Sequence, residues 1–331
     1  MSAEIEHGGA LDKAVACFGG RPQDWLDLST GINPEHFPLP ELTPAIWNRL
    51  PDEGLLQETL RLARIYYRLN EKASIVAAPG TQALIQLVPT LAAPSTVAVL
   101  GPTYQEHAAS FSASGWKVVQ CATIDEIPDE ATAAVIVNPN NPDGRLIRRA
   151  DLIAMARARS KAGRWLVADE SFIECAPGDS VSDLAEPGLI VLRSFGKFYG
   201  LAGVRLGFML AAPELIRRLR ALQGDWPVSA DALMLGRGAY ADEAWRRRTE
   251  AALAERADRL DDLLARAGFQ IIGGTSLFRM TRTPHAARWF QHLCRAGILT
   301  RPFDHTPNAL RFGVPAERDF PRLQRALETF G

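Results

Sequence analysis

Leu189-Ile190-Val191-Leu192-Arg193-Ser194-Phe195-Gly196-Lys197-Phe198-Tyr199-Gly200-Leu201-Ala202-Gly203-Val204-Arg205-Leu206-Gly207-Phe208 is the stretch from which the rest of this chain is read. The apolar run Leu189–Leu192 has the character of a buried strand. It gives way to a loop holding Gly196, Gly200, Gly203 and Gly207. Glycines let a backbone approach a ligand closely and adopt positive φ, and successive backbone N–H groups in such loops form anion-binding concavities. Ser194 and Arg205 add a hydroxyl and a guanidinium suited to a phosphate. Lys197 would then sit beside whatever molecule carries that phosphate. Taken alone, the same residues would also serve a Gly-rich surface loop with a solvated lysine.

Outward from this loop, three more strand ends carry chemistry. Trp165-Leu166-Val167-Ala168 reads as a strand closed by Asp169-Glu170-Ser171-Phe172, and a carboxylate at the end of a buried strand is costly unless it is paired. Ala133–Val137 is β-branched and uncharged, as fully buried strands are. It runs into Asn138-Pro139-Asn140-Asn141-Pro142-Asp143-Gly144, which as bare chemistry makes a turn. Thr96–Leu100 ends in Gly101-Pro102-Thr103-Tyr104, so Tyr104 follows a strand's carboxyl end, where ligands of open α/β sheets collect. Ser74–Ala78 is followed by Pro79-Gly80-Thr81-Gln82 and a helix expected to run to about Leu91. That turn is an anion site by geometry, and equally a plain Thr N-cap.

A lysine, a phosphate cradle and a strand-end carboxylate are what pyridoxal 5'-phosphate requires, with its aldehyde, its phosphate and its pyridine nitrogen. The Lys197 stretch closely resembles the Schiff-base segment of the fold-type I pyridoxal-phosphate enzymes, in the aspartate and histidinol-phosphate aminotransferase group. The resemblance implies that Lys197 holds the cofactor covalently and that Ser194, Arg205 and the turn Gly80, Thr81, Gln82 hold its phosphate. It implies that Tyr104 stacks on the ring, that Asp169 pairs with the ring nitrogen, and that Asn141 donates to the phenolic oxygen and borders the substrate. Lys197 and Asp169 are the expected catalytic residues. Arg311, inside the apolar run Ala309–Pro315, resembles the family's carboxylate-binding arginine. An edge-strand arginine facing water is the plain alternative. The chain departs from the family pattern in having Leu50 and Phe172 where many members carry tyrosines, and Asp143 where they carry threonine.

The resemblance narrows at the N-terminus. His7-Gly8-Gly9 followed by Asp27-Leu28-Ser29-Thr30-Gly31-Ile32-Asn33-Pro34, with Gly224-Asp225-Trp226-Pro227-Val228-Ser229 further on, is similar to the threonine-phosphate decarboxylase branch. On that resemblance His7, Gly8, Gly9, Gly31 and Asn33 join Arg311 as substrate-binding residues, the substrate is a phosphorylated amino acid, and the reaction is decarboxylation for cobalamin biosynthesis. Histidinol-phosphate transamination is the first alternative. A non-catalytic pyridoxal-phosphate regulator is a weaker one, since such proteins usually carry a DNA-binding domain for which this chain has neither spare length nor basic charge.

The bulk composition agrees with an enzyme of this kind. The 331 residues can hold two subdomains. Alternating strands and helices from about residue 74 to 208 predict an α/β fold with a mostly parallel sheet and helices on both faces. The large domain is expected over 35–222, with 1–34 and 223–331 forming a smaller α/β domain. A net charge of -1 argues against nucleic-acid or polybasic membrane partners. No apolar run reaches membrane-spanning length, the first residues lack signal-peptide character, and Cys17, Cys121, Cys175 and Cys294 show neither metal-ligand nor disulfide-framework spacing. The expectation is a cytoplasmic homodimer without a metal.

Overall fold

The computed structural model describes residues 8–330. The chain divides into two compact units, one made of residues up to 36, 142–144 and from 246 onward, the other of 37–141 and 145–245. Strand β1 (Leu26–Asp27) belongs to the first, smaller unit.

The larger unit is built on β2 (Ser74–Ala78), β3 (Thr96–Leu100), β4 (Lys117–Cys121), β5 (Ala133–Val137), β6 (Trp165–Asp169), β7 (Leu189–Ser194) and β8 (Gly207–Ala211). They form one sheet in the order β2-β8-β7-β6-β5-β3-β4. β8 runs antiparallel to both neighbours and all other pairings are parallel. The expected mostly parallel sheet is therefore present. β5, β7 and β8 are buried along their whole length, which is why they read as continuous apolar runs rather than alternating ones. Val97, Val99, Val135, Val167, Ile190 and Met209 share a core with Leu84, Phe111, Trp116 and Ile216.

The topology places the chemistry. The chain leaves β3 toward edge strand β4 and returns on the other side of β3 to make β5, so a switch point lies between β3 and β5. β2, β3, β5, β6 and β7 point the same way, and their carboxyl ends line one edge. Gly80, Tyr104, Asn138–Asn141, Asp169 and Ser194 follow or close those ends. Arg205, just before antiparallel β8, comes to the same edge.

One local expectation changes. The helix from Thr81 is α-helical only to Leu87 and tightens to a 3-10 turn over Val88–Leu91, because Pro89 cannot donate within an α-helix. β8 begins only at Gly207, because Ala202–Val204 forms a 3-10 turn and Arg205 turns left-handed at φ 57.

The smaller unit continues with β9 (Gln270–Thr275), β10 (Phe278–Arg282), β11 (Ile298–Leu299), β12 (Arg301–Pro302) and β13 (Ala309–Gly313). An antiparallel sheet has the order β12-β13-β10-β9, and β1 pairs with β11 in parallel. Its core gathers Leu260, Leu264, Trp289, Phe290, Phe312 and Phe320. The boundary expected at 222/223 falls at 245/246 instead. Helix Ala230–Ala241 belongs to the larger unit, where the Thr59 hydroxyl donates to the Leu233 carbonyl at 3.0 Å and the Tyr67 and Tyr240 hydroxyls meet at 2.5 Å.

Candidate active site

In the larger unit, the loop after β7 is fixed by aromatic packing. Phe195 stacks on Tyr199 with centroids 4.7 Å apart, and Tyr199 stacks on Trp245 at 5.5 Å. A Cβ on Gly196 would lie 2.7 Å from the Ala202 Cα, so only glycine allows the loop to fold back this tightly. Lys197 is half-buried in this rigid frame, with Nζ 5.8 Å from the Phe172 ring centroid. That contact places the lysine beside the Asp169–Phe172 turn at the end of β6.

Asp169 is buried, and each of its carboxylate oxygens is engaged. Oδ1 accepts the Ser171 N–H at 3.0 Å and the Ser171 hydroxyl at 2.5 Å; Oδ2 lies 2.8 Å from His107 Nε2. An ionised carboxylate only accepts, so the histidine nitrogen is the donor. Burial pushes the Asp169 carboxyl up, but His107 and the two Ser171 bonds outweigh it and hold the group below its ordinary value. Asp169 is thus an ionised carboxylate at a strand end, as the ring-nitrogen role demands. His107 was not singled out in the sequence. It lies in the first turn of helix Glu106–Ala113, three residues after Tyr104, and their rings meet edge-on at 6.3 Å.

Tyr104 donates its hydroxyl to Gln82 Oε1 at 3.0 Å, and Gln82 in turn donates to Glu106 Oε2 at 2.8 Å. The switch-point loops are tied together by Asn140, which takes the Thr103 hydroxyl at 2.6 Å and donates to the Pro102 carbonyl at 3.0 Å. Asn141 follows directly and is half-buried.

The phosphate cradle expected at Gly80–Gln82 and Arg205 has a tight geometry. A Cβ on Gly80 would lie 2.4 Å from Arg205 Nη2, and one on Gly207 would lie 2.5 Å from the Thr81 nitrogen. Both positions therefore need glycine for the Arg205 guanidinium to close on the first turn of the helix. Gly80, at φ 85, is the N-cap residue, so the plain Thr N-cap is not what forms. The Thr81 hydroxyl instead donates to the Arg193 carbonyl at 3.0 Å, which leaves the backbone N–H groups and the guanidinium as the anion donors of this turn. Ser194 closes β7 beside it, buried. Arg205 adopts the left-handed conformation that non-glycine residues rarely take. This donor set, a lysine and an ionised carboxylate fit pyridoxal phosphate.

In the smaller unit, the N-terminal segment and β13 form a second polar cluster. Gly9 N–H donates to Ser29 Oγ at 2.7 Å, and Ser29 Oγ donates to Asp27 Oδ1 at 2.5 Å. A Cβ on Gly8 would lie 2.6 Å from the Ser29 carbonyl oxygen. Arg311 Nη2 donates to that same oxygen at 2.7 Å. Arg311 is not an edge-strand arginine facing water: β13 is an inner strand and the residue is buried. Arg301 is its register partner on β12, and both guanidiniums lie over the Phe303 ring, at 5.8 Å and 5.4 Å. Burial, with Arg301 adding to it, pushes the Arg311 guanidinium down to about 9. Two neighbouring guanidiniums over one ring are of a chemistry that could hold an anion of more than one charge. Arg301 went unremarked in the sequence because its pairing with Arg311 becomes visible only in the register. Gly31 is buried in this unit, and buried Asn33 spends its Oδ1 on the Glu35 N–H at 3.0 Å, shaping its own loop. His7 lies outside the described residues.

The sequence pattern of the aminotransferases of class I and II matches residues 46–330. The chain belongs to that family. Class I and II aminotransferases depend on pyridoxal phosphate, so this is a pyridoxal-phosphate-dependent chain. A threonine-phosphate decarboxylase from Sinorhizobium sp. is 43% identical, the match covering 95% of this chain and 94% of that protein. The threonine-phosphate decarboxylase of Pseudomonas aeruginosa is 39% identical over 98% of both chains. Among solved structures, a histidinol-phosphate aminotransferase from Sinorhizobium meliloti in complex with pyridoxal-5'-phosphate superimposes with a TM-score of 0.78, covering 97% of this chain and 95% of that one. At 17% identity that likeness speaks for the fold alone. Among the described residues no helix of this aminotransferase-family chain is long and apolar enough to cross a membrane.

Proposed function

We propose that this chain decarboxylates L-threonine O-3-phosphate to (R)-1-amino-2-propanol O-2-phosphate and CO2, as a step toward cobalamin. The observation that carries the reading is the pair of guanidiniums Arg301 and Arg311 over one ring. It is joined by the likeness, over nearly the whole length, to two proteins named threonine-phosphate decarboxylase. A substrate with both a carboxylate and a phosphate suits such a receptor.

Pyridoxal phosphate, when bound, supplies the electron sink that stabilises negative charge at the substrate Cα. In the larger unit, Lys197 is the residue that would hold it, with Asp169 and Asn141 on its ring atoms, Tyr104 on its face, and Ser194, Arg205 and the Gly80–Gln82 backbone on its phosphate. Asp169 keeps its charge through His107 and Ser171. Such a fixed anion would hold a proton on a ring nitrogen. Lys197 Nζ, once displaced by the substrate amine, would return a proton to Cα as a general acid. In the smaller unit, Arg311 and Arg301 would fix the anionic groups of the substrate. Orientation selects which Cα bond breaks, so anion placement decides between loss of CO2 and loss of the Cα proton. A homodimer in the cytoplasm is part of this reading. Exposed Leu39, Trp47 and Leu50 on the larger unit support a self-association surface.

The test is a product assay on the cofactor-loaded protein with L-threonine O-3-phosphate and no keto acid. Steady release of CO2 with aminopropanol phosphate is expected, and Lys197→Ala should abolish both turnover and the cofactor's Schiff-base absorbance. Conversion of the cofactor to its amine form without CO2 would replace the reading with transamination.

A further inference from the structure

A second cluster of cations lies at the far end of edge strand β2. Its carboxyl end leads into the Gly80 turn, whereas its first residues, Ser74 and Ile75, border a cleft of about 430 Å³ between helix Glu53–Tyr66 and helix Pro213–Gln223. Four strand steps of about 3.3 Å separate the two ends. Arg61 and Arg64 face the cleft from one helix, and Arg217 and Arg220 from the other. Both pairs have the i, i+3 spacing that brings side chains to one helical face, so the two helices present matching pairs of guanidiniums across the gap. Leu60, Ile75 and Ile216 make the floor.

The inner guanidiniums are held in place by the backbone. Arg64 Nη1 donates to the Ala73 carbonyl at 3.2 Å and Arg220 Nη2 to the Ile75 carbonyl at 3.5 Å. Each bond uses one of five N–H donors in a rigid fork. The outer pair is bridged to its own helix, Arg61 to Glu58 at 2.7 Å and Arg217 to Glu214. No carboxylate lines the cleft itself among the described residues. Four cations against two carboxylates leave two positive charges uncompensated in a chain whose net charge is -1. Like charges gathered this closely repel, and a bound anion removes the repulsion. Guanidinium forks match phosphate oxygens two at a time. No aromatic ring lines the cleft on which a base could stack, and its volume suits a small ligand rather than a macromolecule.

We propose that this cleft is a second anion site, apart from the cofactor and substrate residues, that takes the polyphosphate group of a small ligand. Inorganic tripolyphosphate and a nucleoside triphosphate carry the same recognised group. Because the four arginines come from two helices, occupancy would clamp those helices across the edge of the sheet.

Calorimetric titration of the cofactor-loaded protein with tripolyphosphate, and separately with ATP, at about 150 mM salt tests this. Saturable binding is expected, weakened about tenfold to a hundredfold by Arg64→Ala with Arg220→Ala and unchanged by Arg311→Ala. Arg61→Ala with Arg217→Ala, at exposed positions, should weaken it as well, which guards against misfolding of the first variant. Equal affinity for both ligands assigns recognition to the phosphate chain, and tighter binding of ATP extends it to the nucleoside. Absence of binding, binding that both cleft variants leave intact, or binding that Arg311→Ala abolishes would overturn the proposal.

Discussion

Two arginines are buried to a similar depth in this molecule, and they are opposites. Arg193, on β7 of the larger unit, is 4% exposed, and Arg311, on β13 of the smaller, is 6% exposed. Arg193 Nη1 donates to Glu170 Oε2 at 3.1 Å, and Nη2 donates to Glu174 Oε1 at 2.6 Å, while Ser180 and Ser182 complete the cluster and the guanidinium lies 4.2 Å from the Tyr67 ring. Burial opposes its charge, but the two carboxylates win and raise its pKa. Around Arg311 the balance runs the other way: burial and Arg301 lower it to about 9. A buried charge satisfied by its own protein is architecture. Where the neighbourhood lowers the pKa of a cation, as at Arg311, an arriving anion would stabilise the charge. Arg193 braces the larger unit, whereas Arg311 is the residue proposed above to receive the substrate's anionic groups.

The largest effect expected is on the brace. Arg193→Ala leaves Glu170 and Glu174 buried without their cation, which should lower unfolding free energy by about 3–5 kcal/mol, read from urea melts. Combining it with Glu170→Gln and Glu174→Gln should recover much of that loss, since the stranded charges go with the cation. A loss that persists in the triple variant would mean that packing, not charge, sets the value of this cluster.

The receptor should respond differently. Arg311→Met removes a disfavoured cation, so stability should change by less than about 1 kcal/mol, or rise. Binding of the phosphorylated substrate should nevertheless weaken by at least about thirtyfold, the usual cost of removing one partner of a buried charged pair, seen as a raised KM. Inorganic phosphate should raise the melting temperature of the wild-type chain more than that of the variant. Equal destabilisation by Arg311→Met and Arg193→Ala would break the comparison.

Much of the proposed cofactor apparatus was legible because it sits at strand ends. Apolar runs betray the strands, and the residue after each run falls at the sheet's ligand edge whatever the details of packing. That logic reached Lys197, Asp169, Asn141, Tyr104 and the Gly80 turn. It failed where a contact joins distant segments. His107 touches Asp169 across 62 positions of sequence, Arg301 meets Arg311 through strand register, and the Thr81 hydroxyl turns to the Arg193 carbonyl across 112. Arg193 was passed over for a related reason: within an apolar run a single arginine looks like a strand end, and only the fold brings two carboxylates to it. The domain boundary failed because helix Ala230–Ala241 is held to the larger unit by side-chain contacts with helix Glu53–Tyr66 and the residue after it that no local pattern encodes.

Asp169 offers the finest test, because it is a buried charge of the satisfied kind that is also proposed to serve the cofactor. Its folded pKa lies below the ordinary 3.8, so near that pH the unfolded chain binds more protons than the folded one. Its contribution to stability is then present above the unfolded value and disappears as pH falls through the lowered folded value. Asp169→Asn should therefore flatten the acid limb of the stability curve below about pH 4 while leaving the neutral region nearly level, apart from a constant offset. The same substitution should cut turnover by about 10²- to 10³-fold, as loss of one preorganised electrostatic partner does. The two readouts separate two roles for His107. If it acts by keeping Asp169 ionised, His107→Gln should shift the acid limb toward higher pH and reduce turnover in step. If turnover falls while the acid limb stays where it was, His107 positions the carboxylate rather than setting its charge, and Ser171 alone suffices to keep it ionised.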